Sequence, residues 1–289
     1  MKGIILAGGT GSRLDPLTRV TTKQLLPVYD KPMIYHPLFT LMSAGIREVC
    51  VITRPDEQHL YMKILGNGKN LGIDITYTVQ EEPRGIPDAF ILCEEFLEDG
   101  AACLILGDNI FVGPGMGRNL STHFNYEGAT AFACTVANPE EYGNVLVDEN
   151  LQPRELFEKP IKPISNLAVT GLYFFDKNVI EYTKKLKFSE RGEIEIIDLL
   201  KNYLETDKLR IEILARGIAW FDAGTPERLF QAAEYIRLMQ NRQDQKYGVL
   251  EEIAFRNRWI TEEQIEERAL ENPNSEYSKY IKTIPKRLI

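Results

Sequence analysis

The chain is poor in the residues from which many active sites are built. It has four cysteines in 289 residues, Cys50, Cys93, Cys103 and Cys134, and none stands in C-x-x-C spacing. They lie within apolar runs, so buried, reduced thiols are expected, the state of a cytoplasmic protein. The three histidines, His36, His59 and His123, lack metal-ligand spacing, which argues against a histidine-built metal site or catalytic triad. No apolar run approaches the ~20 residues that cross a bilayer, so no membrane partner is expected. No charged-then-apolar leader stands before the first strand-like residues, again pointing to the cytoplasm. There is no basic excess either: the formal net charge is -8, which speaks against a nucleic-acid surface while leaving room for a local cationic pocket. Internal repeats and low-complexity tracts are missing.

What is present is concentrated in the first thirty residues. Ile4 to Ala7 is a short apolar run that reads as a buried strand and ends in glycines. Gly8, Gly9 and Gly11 fall within four positions, with Thr10 and Ser12 between and after them, then Arg13, then Lys23 ten residues on. Glycines let backbone N–H groups converge on phosphate oxygens. An arginine can clamp those oxygens through parallel hydrogen bonds and a lysine adds a point charge. Two familiar phosphate loops do not fit. Gly9-Thr10-Gly11-Ser12-Arg13-Leu14 has leucine where a dinucleotide loop needs its last glycine, and Gly68-Lys69-Asn70 lacks the hydroxyl and spacing of a P-loop.

Further along, strand and helix patterns alternate. A helix is expected over 32–44, a strand over 46–53, a helix over 56–65, a strand over 72–80, a helix over 86–97 and a strand over 101–106. Such alternation predicts an α/β fold with a Rossmann-like, mostly parallel mixed sheet covered on both faces. From about Ala129 four strand-like stretches follow one another (129–137, 144–148, 152–157 and 168–176), expected as β-rich insertions. Helices are expected over 178–186, 193–206 and, behind Thr225-Pro226, to about 240, with strands over 209–214 and 218–221 between them. Leu250 to Arg256 and Thr261 to Leu270 read as further helices, the second with Gln264 three residues after a capping threonine. The organisation expected is a core over 1–243, in two parts over about 1–128 and about 129–225, followed by a helical appendage over 244–289. Asp108 and Asp222 each follow a buried apolar strand, where ligands of α/β sheets bind. Two convergent carboxylates would suit Mg²⁺, which takes oxygen ligands and keeps several waters.

Leu6 to Tyr35 reads L-A-G-G-T-G-S-R-L, then K-Q-L-L-P-V-Y-D-K-P-M-I-Y, and closely resembles the signature of the sugar-1-phosphate nucleotidyltransferases. Within that family the chain is most similar to members that join dTTP to glucose 1-phosphate, feeding deoxysugar and surface-polysaccharide synthesis. The resemblance implies Mg²⁺ on Asp108 and Asp222, with Arg13, Lys23, Asp108, Lys159 and Asp222 as the catalytic set. It assigns the nucleotide to Leu6, Gly8, Gly9, Thr10, Gly11, Ser12, Arg13 and Asp108, with Gln80 and Gly85 reading the base. The part over about 1–128 would be the nucleotide-binding half and that over about 129–225 the sugar-phosphate-binding half, with the sugar phosphate falling to Asn109, Gly143, Glu158, Lys159, Val169, Tyr173, Arg191 and Glu193. The stretch 248–260 resembles a tail that in family members forms helical subunit contacts and a second nucleotide site, implying a homotetramer; an ordinary packing element is the alternative.

One segment departs from the family pattern. Gly85-Ile86-Pro87-Asp88-Ala89 stands where a glutamine or glutamate is common at the fourth position, which leaves base preference among dTTP, UTP and CTP open. Two further readings stay open: a catalytically inactive nucleotide-sugar sensor, which would not need the full set of charged residues, and a nicotinamide dehydrogenase, which the missing glycine disfavours.

Overall fold

The computed structural model describes residues 1–98, 100–117 and 119–287; the last two positions of the expected appendage lie outside them. Strand β1 (Lys2–Leu6) runs into the glycine loop, three short 3-10 turns, a small ladder of β2 (Pro27–Val28) with β3 (Lys31–Pro32), and helix α1 (Tyr35–Ser43). Then come β4 (Glu48–Thr53), α2 (Gln58–Leu65), β5 (Asp74–Val79), α3 (Asp88–Leu92), α4 (Glu94–Leu97) and β6 (Ala102–Leu106). The middle of the chain supplies β7 (Asn109–Val112), β8 (Ala129–Thr135), β9 (Gly143–Val147), β10 (Pro153–Glu158) and β11 (Leu167–Phe175). Behind them follow α5 (Val179–Lys184), α6 (Ile196–Glu205), β12 (Leu209–Ile213), β13 (Ala219–Asp222) and the long α7 (Pro226–Gln243). The chain closes with α8 (Leu250–Arg256), α9 (Glu262–Leu270), α10 (Glu276–Ile281) and α11 (Ile284–Arg287).

The main sheet has nine strands in the order β10-β9-β11-β6-β1-β4-β5, with β8 on β11 and β12 on β8. From β5 to β6 all pairings are parallel, as the alternating pattern predicts. Beyond β6 they are antiparallel, apart from β12 on β8. Strands β8 to β12 therefore extend the same sheet, through the long β11, which pairs with both β6 and β8. Its register on β8 shifts between Val169 and Tyr173, because the Gly171 N–H leaves the ladder to meet Asn109 Oδ1 at 3.0 Å. Successive residues of β1 face opposite sides, as a pleat requires. Ile5 joins a cluster with α1, α2 and the C-terminal helices, and Ile4 joins one with Phe90, Tyr173 and the α6 residues Leu199 and Leu200. A third cluster, including Leu14, Val28, Ile110, Ala223 and Ile236, sits under β7 and β13.

Two expected elements change. The helix expected from Pro32 begins at Tyr35, because Lys31 and Pro32 pair with Pro27 and Val28 instead. The helix expected over 86–97 is two, broken at Cys93 (φ -101°, ψ 16°), whose thiol lies 3.4 Å from that of Cys50. The Thr261 and Gln264 capping box forms as expected, and the Thr225 side chain caps α7 through the Arg228 N–H.

Candidate active site

β1 and β6 are parallel neighbours with Leu6 opposite Leu106, so the glycine loop and Asp108 leave the sheet side by side. β13 lies antiparallel to β7 with Asp222 opposite Asn109, and the Ala223 N–H donates to the Asp108 carbonyl at 3.0 Å. Two acids more than a hundred residues apart are thus set together by backbone pairing. They open on a cavity of about 200 Å³ whose wall also carries Arg13, Asn109, Gly143, Glu158, Lys159, Val169 and Tyr173. The side chains at 13, 108, 159 and 222 share one space.

The loop that presents Arg13 is anchored from below. Leu14 is fully buried, Gly11 has φ +63°, and the Thr18 hydroxyl donates to the Gly11 carbonyl at 3.1 Å. The Tyr61 hydroxyl lies 3.0 Å from Gln24 Oε1 and 3.3 Å from the Ala7 carbonyl, tying the loop to the turn that carries Lys23. Thr10 and Ser12 are exposed. A methyl group on Gly9 would meet nothing within 4 Å, whereas one on Gly8 would strike Gln80 Oε1 at 2.7 Å. Leu6, Gly8, Gln80 and Gly85 are off the wall of the cavity. Gly85, at φ +110°, is pressed against Ile194, whose carbonyl would be 2.1 Å from an added Cβ.

Lys23, 6% exposed, does not reach the cavity wall; its ammonium rests on Asp108 Oδ2. Burial opposes the charge of Asp108, but Lys23 and the Asn109 amide outweigh it and hold the carboxyl below its usual range. For Asp222 burial and the charge of Asp108 win, and its carboxyl is raised despite Lys23, Arg228 and Arg13 nearby. Arg228 Nη1 donates to Asp222 Oδ2 at 3.1 Å and its other end pairs with Glu141. An added Cβ on Gly224 would be 2.9 Å from both Arg13 Nη2 and Asp222 Oδ1, which places the Arg13 guanidinium over that glycine beside the acid. Groups of three or more potential ligands do not occur among the described residues. Two repelling carboxylates, one with a raised pKa, nevertheless fit a hard dication that completes its shell with water.

On the opposite wall Lys159 has φ +42°, a conformation non-glycine residues adopt rarely and often at functional positions. Its N–H donates to the Tyr142 carbonyl at 3.2 Å. Glu158 accepts from Arg191 Nη2 at 3.2 Å, and that guanidinium also pairs with Glu195 at 2.8 Å. Burial raises the Glu158 carboxyl, with Lys159 opposing it. Arg191 thus sits behind Glu158 instead of on the wall, and Glu193, whose carbonyl accepts from the Ser189 N–H at 2.8 Å, does not line the cavity either. A methyl group on Gly143 would meet Ile197 at 2.7 Å. Asn109, 2% exposed, accepts from Trp220 Nε1 at 2.6 Å and donates to Asp108 Oδ1 at 2.9 Å, so its amide orients the acid.

Sequence reasoning missed Trp220, Arg228, Glu141 and Glu195. Trp220 has a signal, since alternation along β13 puts it on the same side as Asp222. Arg228 shows only as the N3 residue behind a capping threonine. Glu141 and Glu195 have no local signal.

The fold, the glycine loop and the paired acids define a class, and the comparisons agree with it: the nucleotidyl transferase family profile matches residues 2–238, and the chain belongs to that family. Its relatives carry one particular name. The glucose-1-phosphate thymidylyltransferase of Neisseria meningitidis serogroup A is 49% identical over 99% of this chain and 100% of its own length. That of Mycobacterium tuberculosis H37Rv is 46% identical over 97% of this chain and 98% of its own. A Bacillus anthracis structure, provisionally described as the same enzyme and solved in complex with a sucrose, matches with a TM-score of 0.76. It is 41% identical, over 82% of this chain and 95% of its own. A UDP-glucose pyrophosphorylase at 23% identity and a TM-score of 0.71 shares the fold. Among the described residues no helix is long and apolar enough to cross a membrane.

Proposed function

We propose that this protein transfers the thymidylyl group of dTTP to glucose 1-phosphate, giving dTDP-glucose and pyrophosphate. The observation that carries the proposal is the convergence of Arg13, Asp108, Lys159 and Asp222 on one cavity, in a chain that matches enzymes of that name end to end. An oxygen of the sugar phosphate attacks the α-phosphorus in line, and the bond to the β-phosphate oxygen breaks. The nucleophile is already ionised, so no covalent intermediate is needed; the obstacle is repulsion between anions. Arg13 holds the leaving pyrophosphate and Lys159 aligns the attacking phosphate, while Lys23 holds Asp108 and Arg191 holds Glu158 from behind the wall. The backbone of Gly8, Gly9, Thr10, Gly11 and Ser12 cradles the triphosphate, and Gln80 and Gly85 receive the base. Gly143, Glu158, Val169 and Tyr173 hold the hexose, with Asn109 fixing Asp108. Asp108 and Asp222 would hold Mg²⁺, which when bound supplies charge neutralisation at the phosphates.

Pyrophosphate release from dTTP and glucose 1-phosphate tests this reading. Lys159→Ala and Asp108→Asn should each lose roughly 10²–10³-fold in kcat. Near-normal turnover in both variants would remove the mechanism, and a wild type that binds dTTP without turnover would make the protein a sensor. The resemblance of the tail also supports a homotetramer, which a monomeric mass by light scattering would exclude.

A further inference from the structure

The base-side segment that departs from the family pattern contains a buried contact. Asp88, in the first turn of α3, is 4% exposed and Gln80, just after β5, is 5% exposed. Gln80 Nε2 donates to Asp88 Oδ2 at 3.1 Å. Arg84 Nη1 stands 3.9 Å from the other carboxylate oxygen, so the acid has a cationic neighbour of its own. A carboxylate only accepts hydrogen bonds, whereas a carboxamide has one accepting and one donating end. The end of Gln80 that faces Asp88 must therefore be its NH₂, and Oε1 is turned the opposite way, over Gly8 at the root of the glycine loop. Rotating the amide by half a turn would set its oxygen against the carboxylate. Among the described residues Asp88 is the only hydrogen-bond partner of this side chain.

We propose that Asp88 is a positioning residue for base choice: it locks the Gln80 amide with Oε1 toward the base, so the site takes a pyrimidine that offers an N3–H and rejects cytosine. Thymine and uracil present an N3–H between two carbonyls, which matches an accepting Oε1 and the second N–H of the amide. Cytosine presents a bare N3 beside an amine, the reverse pattern, and would require the forbidden rotamer. Asp88 does not separate dTTP from UTP. This inference rests on the thymidylyl-transfer reading for the place of the base, and its test is a binding ratio that does not need turnover.

The affinities of the full chain for dTTP and CTP are measured by titration calorimetry for wild type, Asp88→Asn and Gln80→Ala, with pyrophosphate release followed in parallel. Asparagine can present either end to Gln80, so in Asp88→Asn the preference for dTTP over CTP should fall at least about tenfold. Gln80→Ala removes the reader and should lose the preference to a similar extent. Thermal melts identify a variant that does not fold, and the other then decides. An unchanged dTTP-to-CTP ratio in a folded Asp88→Asn or Gln80→Ala overturns the proposal. Ratios that fall as expected, in a wild type that releases no pyrophosphate, uphold the role of Asp88 and overturn the transfer reaction alone.

Discussion

Lys23 rests on Asp108 in a buried pair, while the neighbouring Asp222 feels the negative charge of Asp108 and the loss of solvent. The two acids consequently respond to pH in opposite directions. Asp108 has a depressed pKa, so its contribution to stability is present at neutral pH and is lost as pH falls through its folded-state value. Asp222 has a raised pKa, so its contribution is full at low pH and is lost as pH rises through its folded-state value. Asp222→Asn should therefore stabilise the metal-free protein at pH 8 by about 1 kcal/mol, roughly 2 °C in Tm. The gain should shrink at lower pH, as the wild-type carboxyl takes up its proton. Turnover should fall roughly 10²–10³-fold in the same variant. Scanning calorimetry at pH 8 and at lower pH checks it, and a lower Tm at pH 8 would mean that the bond from Arg228 outweighs the repulsion. Asp108 and Asp222 were legible in the sequence because each closes an apolar strand. Their cationic partners were less so. Lys23 was read as a phosphate ligand, and its seat on Asp108, 85 positions away, has no trace in local pattern.

The elements were more legible than their joints. Strand β6, helix α8 and the capping box of α9 stand within a residue or two of where apolar period and cap chemistry put them. The break between α3 and α4, the β2 and β3 ladder and the bulge of β11 depend on neighbours from distant sequence. Gly85 shows the difference. The resemblance assigns it to the base, yet its demand comes from Ile194, more than a hundred residues on, bonded through its N–H to the Arg84 carbonyl at 2.8 Å. Gly85→Ala combines a positive φ with a backbone collision and should cost about 2–3 kcal/mol. Gly9→Ala is the matched control, since an added methyl meets nothing. Its Tm should stay within about 2 °C of wild type, while KM for dTTP rises if phosphates lie against that backbone. Melting curves and dTTP titrations of the two variants separate a glycine needed by the fold from one needed by the ligand. An unaltered KM in Gly9→Ala would move the phosphates away from this part of the loop.

At the scale of the whole molecule the class of fold was legible from alternation, whereas the joining of the later strands to the first sheet was not, because β11 serves both halves. The residues after Gln243 pose the same question of independence. Val249, Leu250, Ala254, Ile260, Ile265 and Ile281 are at most 5% exposed and belong to the cluster that contains Leu38, Leu41 and Met42 of α1. Asn257 donates to the Met42 carbonyl at 3.2 Å, Arg47 lies over the Trp259 ring at 5.4 Å, and a methyl on Gly72 would be 2.5 Å from the Trp259 carbonyl. Each large apolar side chain buried this way stabilises by roughly 1.5–3 kcal/mol, and a whole domain has only about 5–15 kcal/mol to lose. A chain ending at Asp244 would expose the outer face of α1 and the Leu65 and Leu71 surface beside it. It should therefore be insoluble, or melt more than about 10 °C below the full chain, even when held as a monomer at low concentration. Melting within a few degrees of the full chain, with dTTP still bound, would show instead that the tail is a detachable module, and its buried contacts would then count for little in the stability of the core.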